Sequence, residues 1–213
     1  MVKDLSQRLI SGVILCAIAL YSIISQSHLF YLLLVLILLT SFYEWVSMTK
    51  RSRWIFLYFL IVPPSIISLF LLKRETTSFI LLNYALLVCG TDVLAMTFGK
   101  LMNGPKLCSR ISPKKTVYGF IFGVLTCAIN CVLHAKSHGK TNTILDLDAY
   151  ILFPVFLLLS SLSQISDIFM SMFKRKFGIK DFSNIIPGHG GVLDRYDSSI
   201  FTAPVYAFLI LKF

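Results

Sequence analysis

Phe30–Val46 reads FYLLLVLILLTSFYEWV, and its only charged residue is Glu44. From Phe30 to Leu39 the only polar group is the Tyr31 hydroxyl. A helix that crosses a bilayer needs about 20 largely apolar residues, and a run this apolar on every side has no polar face to give to water. Working outward, six more stretches have the same character: Leu9–Ile24, Trp54–Leu72, Phe79–Phe98, Val117–Leu133, Tyr150–Met172 and Ser199–Leu211. The first and last are short. The expected fold is therefore all-α, a polytopic membrane helix bundle with about seven transmembrane helices. No repeat or low-complexity linker divides it, so residues 1–213 read as a single integral-membrane domain.

The composition agrees. The chain is 56% hydrophobic and 14% charged, with mean hydropathy +0.79. Soluble domains carry about 25% charged residues, and disordered chains are less hydrophobic. Five scattered cysteines contain no CxxC pair and suggest no disulfide framework. Cys127 and Cys131 share a helix face and read as buried packing. The net charge of +10 is unevenly spread. With the N-terminus cytosolic, fifteen of the twenty Lys and Arg fall on cytosolic segments, among them Lys3, Arg8, Lys50, Arg51 and Arg53. Lys73, Arg74, Lys136, Lys140 and Lys212 face the other side. The positive-inside rule then places loops 99–116 and 173–198 in the cytosol.

Three carboxylates stand at membrane depth: Glu44, Asp92 and Asp167. Such residues are costly and mark function by default. Glu44, beside Trp45, reads as an interfacial carboxylate. Asp92 and Asp167 sit just before basic loops. Ser171, Lys174 and Arg175 follow Asp167 at helical spacing and line one face with it. A carboxylate there suits a hard divalent cation, and the cations suit phosphate oxygens. Lipid-headgroup anchoring explains Lys174–Lys176 but not the aspartate below them.

The loop beyond reads KRKFGIKDFSNIIPGHGGVLDRYDS from Lys174. Pro187, Gly188, Gly190 and Gly191 bracket His189, and glycines let backbone N–H groups approach an anion. His189 by itself reads as a structural hydrogen-bonding residue. Asp194 and Asp197 fall on one face if the stretch is helical, among Lys and Arg, as metal ligands ringed by phosphate-binding cations would. Loop 99–116 is basic, with Gly and Pro and no carboxylate. It is either an anion-binding loop or a topology signal. Its Ser112-Pro113-Lys114-Lys115-Thr116 run reads as a helix N-terminus suited to phosphate. Walker A spacing is absent.

These residues resemble the phosphatidate cytidylyltransferases (CDP-diacylglycerol synthases). The pattern runs through Ser171, Lys174-Arg175, Lys180-Asp181, Pro187, His189-Gly190-Gly191, Asp194-Arg195 and Asp197, with Arg110–Thr116 (RISPKKT) similar to a second family motif. The strong resemblance covers roughly residues 90–202. It divides the domain into N-terminal spans, 1–89, and a catalytic part, 90–213. Four positions depart from the family pattern: Tyr118 and Met170 stand where Glu is usual, Ser166 where Gly is usual, and Met96 where Tyr is usual.

The resemblance implies transfer of CMP from CTP to phosphatidate, giving CDP-diacylglycerol and pyrophosphate for phospholipid synthesis. It implies Mg²⁺, with room for a second cation, on Asp167, Asp194 and Asp197. Lys174, Arg175, Lys180 and Arg195 would hold phosphates. Ser112, Lys114, Lys115 and Thr116 would complete the nucleotide side, and Ser171, His189, Gly190 and Gly191 would contact substrate. The expected setting is a bacterial inner membrane with the site facing the cytosol. Membrane lipids are the surroundings, nucleic acid is not a partner, and a homodimer is an open expectation. The alternatives are a degenerate scaffold of the same family, favoured by Tyr118 and Met170, or a small polytopic transporter. A transporter should carry polar residues through the full depth of several spans, whereas here they are read only at the cytosolic ends.

Overall fold

The computed structural model describes residues 2–25, 28–50, 52–135 and 148–212. Helices are α1 (Val2–Ile24), α2 (Leu29–Thr49), α3 (Ile55–Glu75), α4 (Ser78–Leu101), α5 (Val117–Val124), α6 (Thr126–Ala135), α7 (Ala149–Lys176), α8 (Leu193–Tyr196) and α9 (Ser199–Lys212). Strands β1 (Lys106–Cys108) and β2 (Ser112–Thr116) pair antiparallel. Every apolar stretch became helix, because without water only a helix satisfies its own backbone. Arg51, Lys136 and Lys140, part of the charge asymmetry, lie outside the described residues.

Among the described residues, four helices are long and apolar enough to cross a membrane: Leu29–Thr49, Ile55–Glu75, Ser78–Leu101 and Tyr150–Lys176. At 1.5 Å per residue, the 24 residues of α4 reach about 36 Å, more than the ~30 Å hydrocarbon thickness. The apolar part of α1 and all of α9 are shorter. The fifth expected span is two short helices, because α5 ends at Val124 and α6 restarts at Thr126, whose Oγ1 donates to the Gly123 carbonyl at 2.7 Å.

The chain is not purely helical. Ser112–Thr116, expected to open a helix, is strand β2. The helix starts one residue later, with Thr116 as its N-cap: Oγ1 accepts the Gly119 N–H at 3.0 Å. The hairpin folds back over α5, and Val117 N–H donates to Pro105 O at 2.9 Å.

Two contacts position the site. α5 lies close on α4 because glycines meet there: a Cβ on Gly119 would stand 2.5 Å from Ala95 O, and one on Gly99 3.0 Å from Thr116 Oγ1. The ends of α2, α3 and α7 share an aromatic cluster. Trp45 is fully buried, stacks on Phe173 (4.6 Å between centroids) and donates its indole N–H to Trp54 O at 3.0 Å. Cys127 and Cys131 are buried, matching their expected packing role. Deeper in the bundle, Asn83, Asn130, Ser160 and Ser163 are also buried. Polar side chains therefore reach beyond the helix ends, contrary to the sequence reading.

Candidate active site

A cavity of about 450 Å³ opens where α4, β2, α5, α7 and the 180–197 segment meet. Asp167, Lys174 and Arg175 line it from α7. Ser112, Lys114, Lys115 and Thr116 line it from β2, and Lys180, Asp194, Arg195 and Asp197 from the C-terminal loop. Asp92 of α4 lines it too, as does Asp181, which the sequence reading left without a role. Ser171, His189, Gly190 and Gly191 do not line it. Ser171 donates to Asp167 Oδ1 at 3.3 Å, as the helical spacing predicts. His189 Nδ1 pairs with Ser11 Oγ at 2.8 Å and packs against Gly12, which ties the loop to α1 in a structural hydrogen bond. Gly190 takes φ +85, a left-handed conformation open to glycine, close beside Asp194 Oδ2.

The charges are interlocked. Lys174, 7% exposed, binds Asp194 Oδ1 at 2.5 Å and stands 4.0 Å from Asp197 Oδ2. Asp194 Oδ2 accepts backbone N–H groups from Phe182 (2.8 Å) and Gly191 (2.9 Å). Lys115 binds Asp167 Oδ2 at 2.5 Å. Ser198 joins two carboxylates, since its N–H donates to Asp197 Oδ1 (3.0 Å) and its hydroxyl to Asp92 Oδ2 (2.9 Å). Burial pushes the Asp197 carboxyl well above its ordinary value. The charge of Asp167 raises it further, Lys174 offsets part of this, and Asp92 and Asp194 add to the rise. Arg175 donates from Nε to Ile111 O (3.1 Å) and from Nη1 to Ile179 O (3.0 Å), so it ties the hairpin to the end of α7. A guanidinium has five N–H donors, which leaves three for an anion.

Among the described residues, no group of three or more His, Cys, Asp or Glu side chains is close enough to hold a metal ion. The donor chemistry nonetheless fits a hard divalent cation: carboxylate oxygens share the cavity, and the surroundings that disfavour charge on Asp197 are ones a bound cation would offset. Both oxygens of Asp167 and of Asp194 already have partners, with a lysine on one oxygen of each.

Glu44 is not interfacial. It is 0% exposed, and it accepts from Ser183 Oγ (2.5 Å), Val192 N–H (2.8 Å) and Leu193 N–H (2.8 Å). The signal was present in the sequence as an ionisable residue inside an apolar run. The departures from the family pattern also find places. Met170 is fully buried among apolar side chains, and the Tyr118 ring covers Gly104. Neither lines the cavity, whereas Met96 does. Ser166 donates its hydroxyl to Asp197 O and so joins α7 to the loop.

The sequence model of the Cytidylyltransferase family matches residues 50–213. The chain belongs to this family. It is similar to the phosphatidate cytidylyltransferase of Rickettsia typhi (strain ATCC VR-144 / Wilmington), 39% identical over 213 residues, which covers 96% of this chain and 91% of the relative. The Rickettsia prowazekii (strain Madrid E) phosphatidate cytidylyltransferase is 40% identical with the same coverage. That of Staphylococcus aureus (strain COL) is 41% identical over 140 residues, covering 66% of this chain and 52% of the relative. The family match includes every residue that lines the cavity. Bacterial relatives and apolar helices together make the chain an integral membrane protein.

Proposed function

We propose that this protein transfers CMP from CTP to phosphatidate, giving CDP-diacylglycerol and pyrophosphate. One observation carries the reading. In a chain of this family, the aspartates, the lysines and Arg195 of the signature converge on a single cavity at the ends of membrane-crossing helices. In the reaction a phosphatidate oxygen forms a bond to the α-phosphorus of CTP, and the bond to the β-phosphate oxygen breaks. Negative charge gathers on the leaving pyrophosphate, so the protein's work is positioning and electrostatic stabilisation.

Lys114 and Lys115 of β2, with Ser112 and Thr116, hold the nucleotide side. Lys174, Lys180, Arg195 and the spare donors of Arg175 hold phosphate oxygens. His189, Gly190, Gly191 and Ser171 act one step back, through the loop and through Asp167. Asp197 would offer an oxygen to a divalent cation, and Asp167 and Asp194 would join it by exchanging Lys115 and Lys174 for it. When bound, Mg²⁺ would neutralise charge on the transferring and leaving phosphates. The Tyr118 and Met170 departures remove no group from the cavity, which weighs against a degenerate scaffold. The shorter helices complete about seven crossings. The charge asymmetry supports a cytosolic N-terminus and a cavity facing the cytosol of a bacterial inner membrane, where CTP is supplied.

The test is pyrophosphate release by purified protein given CTP, phosphatidate and Mg²⁺. Release that needs both substrates supports the reading, and release that ignores phosphatidate overturns it.

A further inference from the structure

We infer that Glu44 is a positioning residue for CMP transfer: from α2 it holds the loop that sets Asp194 and Lys174 in the cavity. The inference rests on the proposed reaction. Two carboxylates divide the same two short segments between them. Asp194 Oδ2 takes the N–H groups of Phe182 and Gly191. Glu44 takes the neighbours: the Ser183 hydroxyl beside Phe182, and the N–H groups of Val192 and Leu193 beside Gly191. The loop is thus gripped from one side by an element of the cavity and from the other by a helix 139 to 149 residues away in sequence.

The fit is close. Gly191 lies against the Glu44 carboxylate, and a Cβ there would stand 2.5 Å from Oε1 and 2.9 Å from Cδ. Glu44 is fully buried and makes no ion pair among the described residues. Its three donors are the loop's own N–H and O–H groups, so its charge is spent on holding the loop. Hydrogen bonds to a carboxylate are stronger than neutral ones, and a buried N–H left without an acceptor is costly. One residue past this grip, Asp194 holds Lys174 at 2.5 Å. A shift of the turn therefore moves both the carboxylate and the cation of the cavity. Glu44 itself does not line the cavity, so it acts through them.

A positioning role is separated from mere structural glue by splitting kcat from KM. Glu44→Gln keeps the shape but turns an NH₂ group toward a backbone N–H. Misplacement of reacting groups costs on the order of 10²-fold in rate. The expected result is a kcat loss of roughly 10–100-fold, with the KM for CTP nearly unchanged and the melting temperature in detergent lowered only modestly, since one buried N–H loses its acceptor. Gly191→Ala, which leaves Glu44 intact and crowds Oε1, should lower kcat in the same way. Glu44→Asp withdraws the carboxylate by one methylene and makes room. The double variant Glu44→Asp/Gly191→Ala should then be faster than the product of the two single losses. A Glu44→Gln enzyme with wild-type kcat, or one whose activity falls only as its folded fraction falls, overturns the inference. So do single losses that simply multiply in the double variant. If Glu44→Gln does not fold, Gly191→Ala decides: wild-type kcat overturns the inference and a selective kcat loss supports it. An inert wild type overturns the reaction and this inference with it. An active wild type beside an equally active Glu44→Gln overturns the positioning role alone.

Discussion

Asp194→Asn tests whether the buried pair at the centre of the cavity serves structure and chemistry together. The two side chains are 3% and 8% exposed for Asp194 and Lys174. The carboxylate has three donors: Lys174 Nζ on Oδ1, and the N–H groups of Phe182 and Gly191 on Oδ2. Asparagine has the same outline but only one acceptor oxygen. If that oxygen faces Lys174, the NH₂ meets two backbone donors, and each buried N–H left unpaired costs about 1–3 kcal/mol. If it faces the backbone, the NH₂ meets the ammonium, and breaking a buried pair from one side costs about 3–5 kcal/mol. Either rotamer should lower stability by about 3–5 kcal/mol. That corresponds to a melting temperature lower by roughly 10 °C for a chain of this length. Loss of a charged stabiliser at the transferring phosphoryl group should cut turnover about 10²–10³-fold. The assay is pyrophosphate release at saturating CTP, corrected for the folded fraction from a melting curve in the same detergent. Turnover within threefold of wild type after that correction refutes a chemical role for the pair. An unchanged melting temperature refutes the structural one.

Asp197→Asn should shift stability in the opposite direction. The folded carboxyl lies well above the unfolded value of about 3.9, so folding takes up a proton and stability falls as pH rises from about 4 through the folded value. The variant has no such loss: with a chelator present its melting temperature at pH 8 should equal or exceed wild type, while turnover falls about 10²–10³-fold. Met170→Glu restores the usual family residue but places a carboxylate in a fully buried apolar position. It should lower the melting temperature without raising turnover. Cysteines at Asn103 and Ser183, in an otherwise cysteine-free background, should be labelled by an impermeant reagent only from the cytosolic side. Labelling of both from outside reverses the topology.

Local pattern made much of this legible. Each apolar stretch became helix because its length and hydropathy leave no other way to satisfy the backbone in a bilayer. The i, i+4 pairing of Asp167 with Ser171 follows from helix geometry alone. Lys174, expected on that face, turns instead to Asp194, 20 residues on. Spacing along one helix says nothing about which loop returns to it. The same limit hid Glu44, whose donors lie 139 to 149 residues away. The place of Ser112–Thr116 just before the fifth apolar stretch favoured a helix start. The pairing of β1 with β2 overrode that preference, and Thr116 took the cap. The break at Leu125 carries no proline or charge to announce it, only Gly123 and Thr126 on either side.

The central claim is that this cavity joins CTP to a lipid phosphate. It is tested most directly with the purified protein in liposomes containing phosphatidate, using CTP labelled with ³²P on the α-phosphate and Mg²⁺ in the buffer. The account predicts label in the lipid fraction as CDP-diacylglycerol, with one pyrophosphate released for each lipid labelled and neither product without phosphatidate. Protein that is folded and inserted but leaves all label in the aqueous phase, with every divalent cation tried, would contradict it.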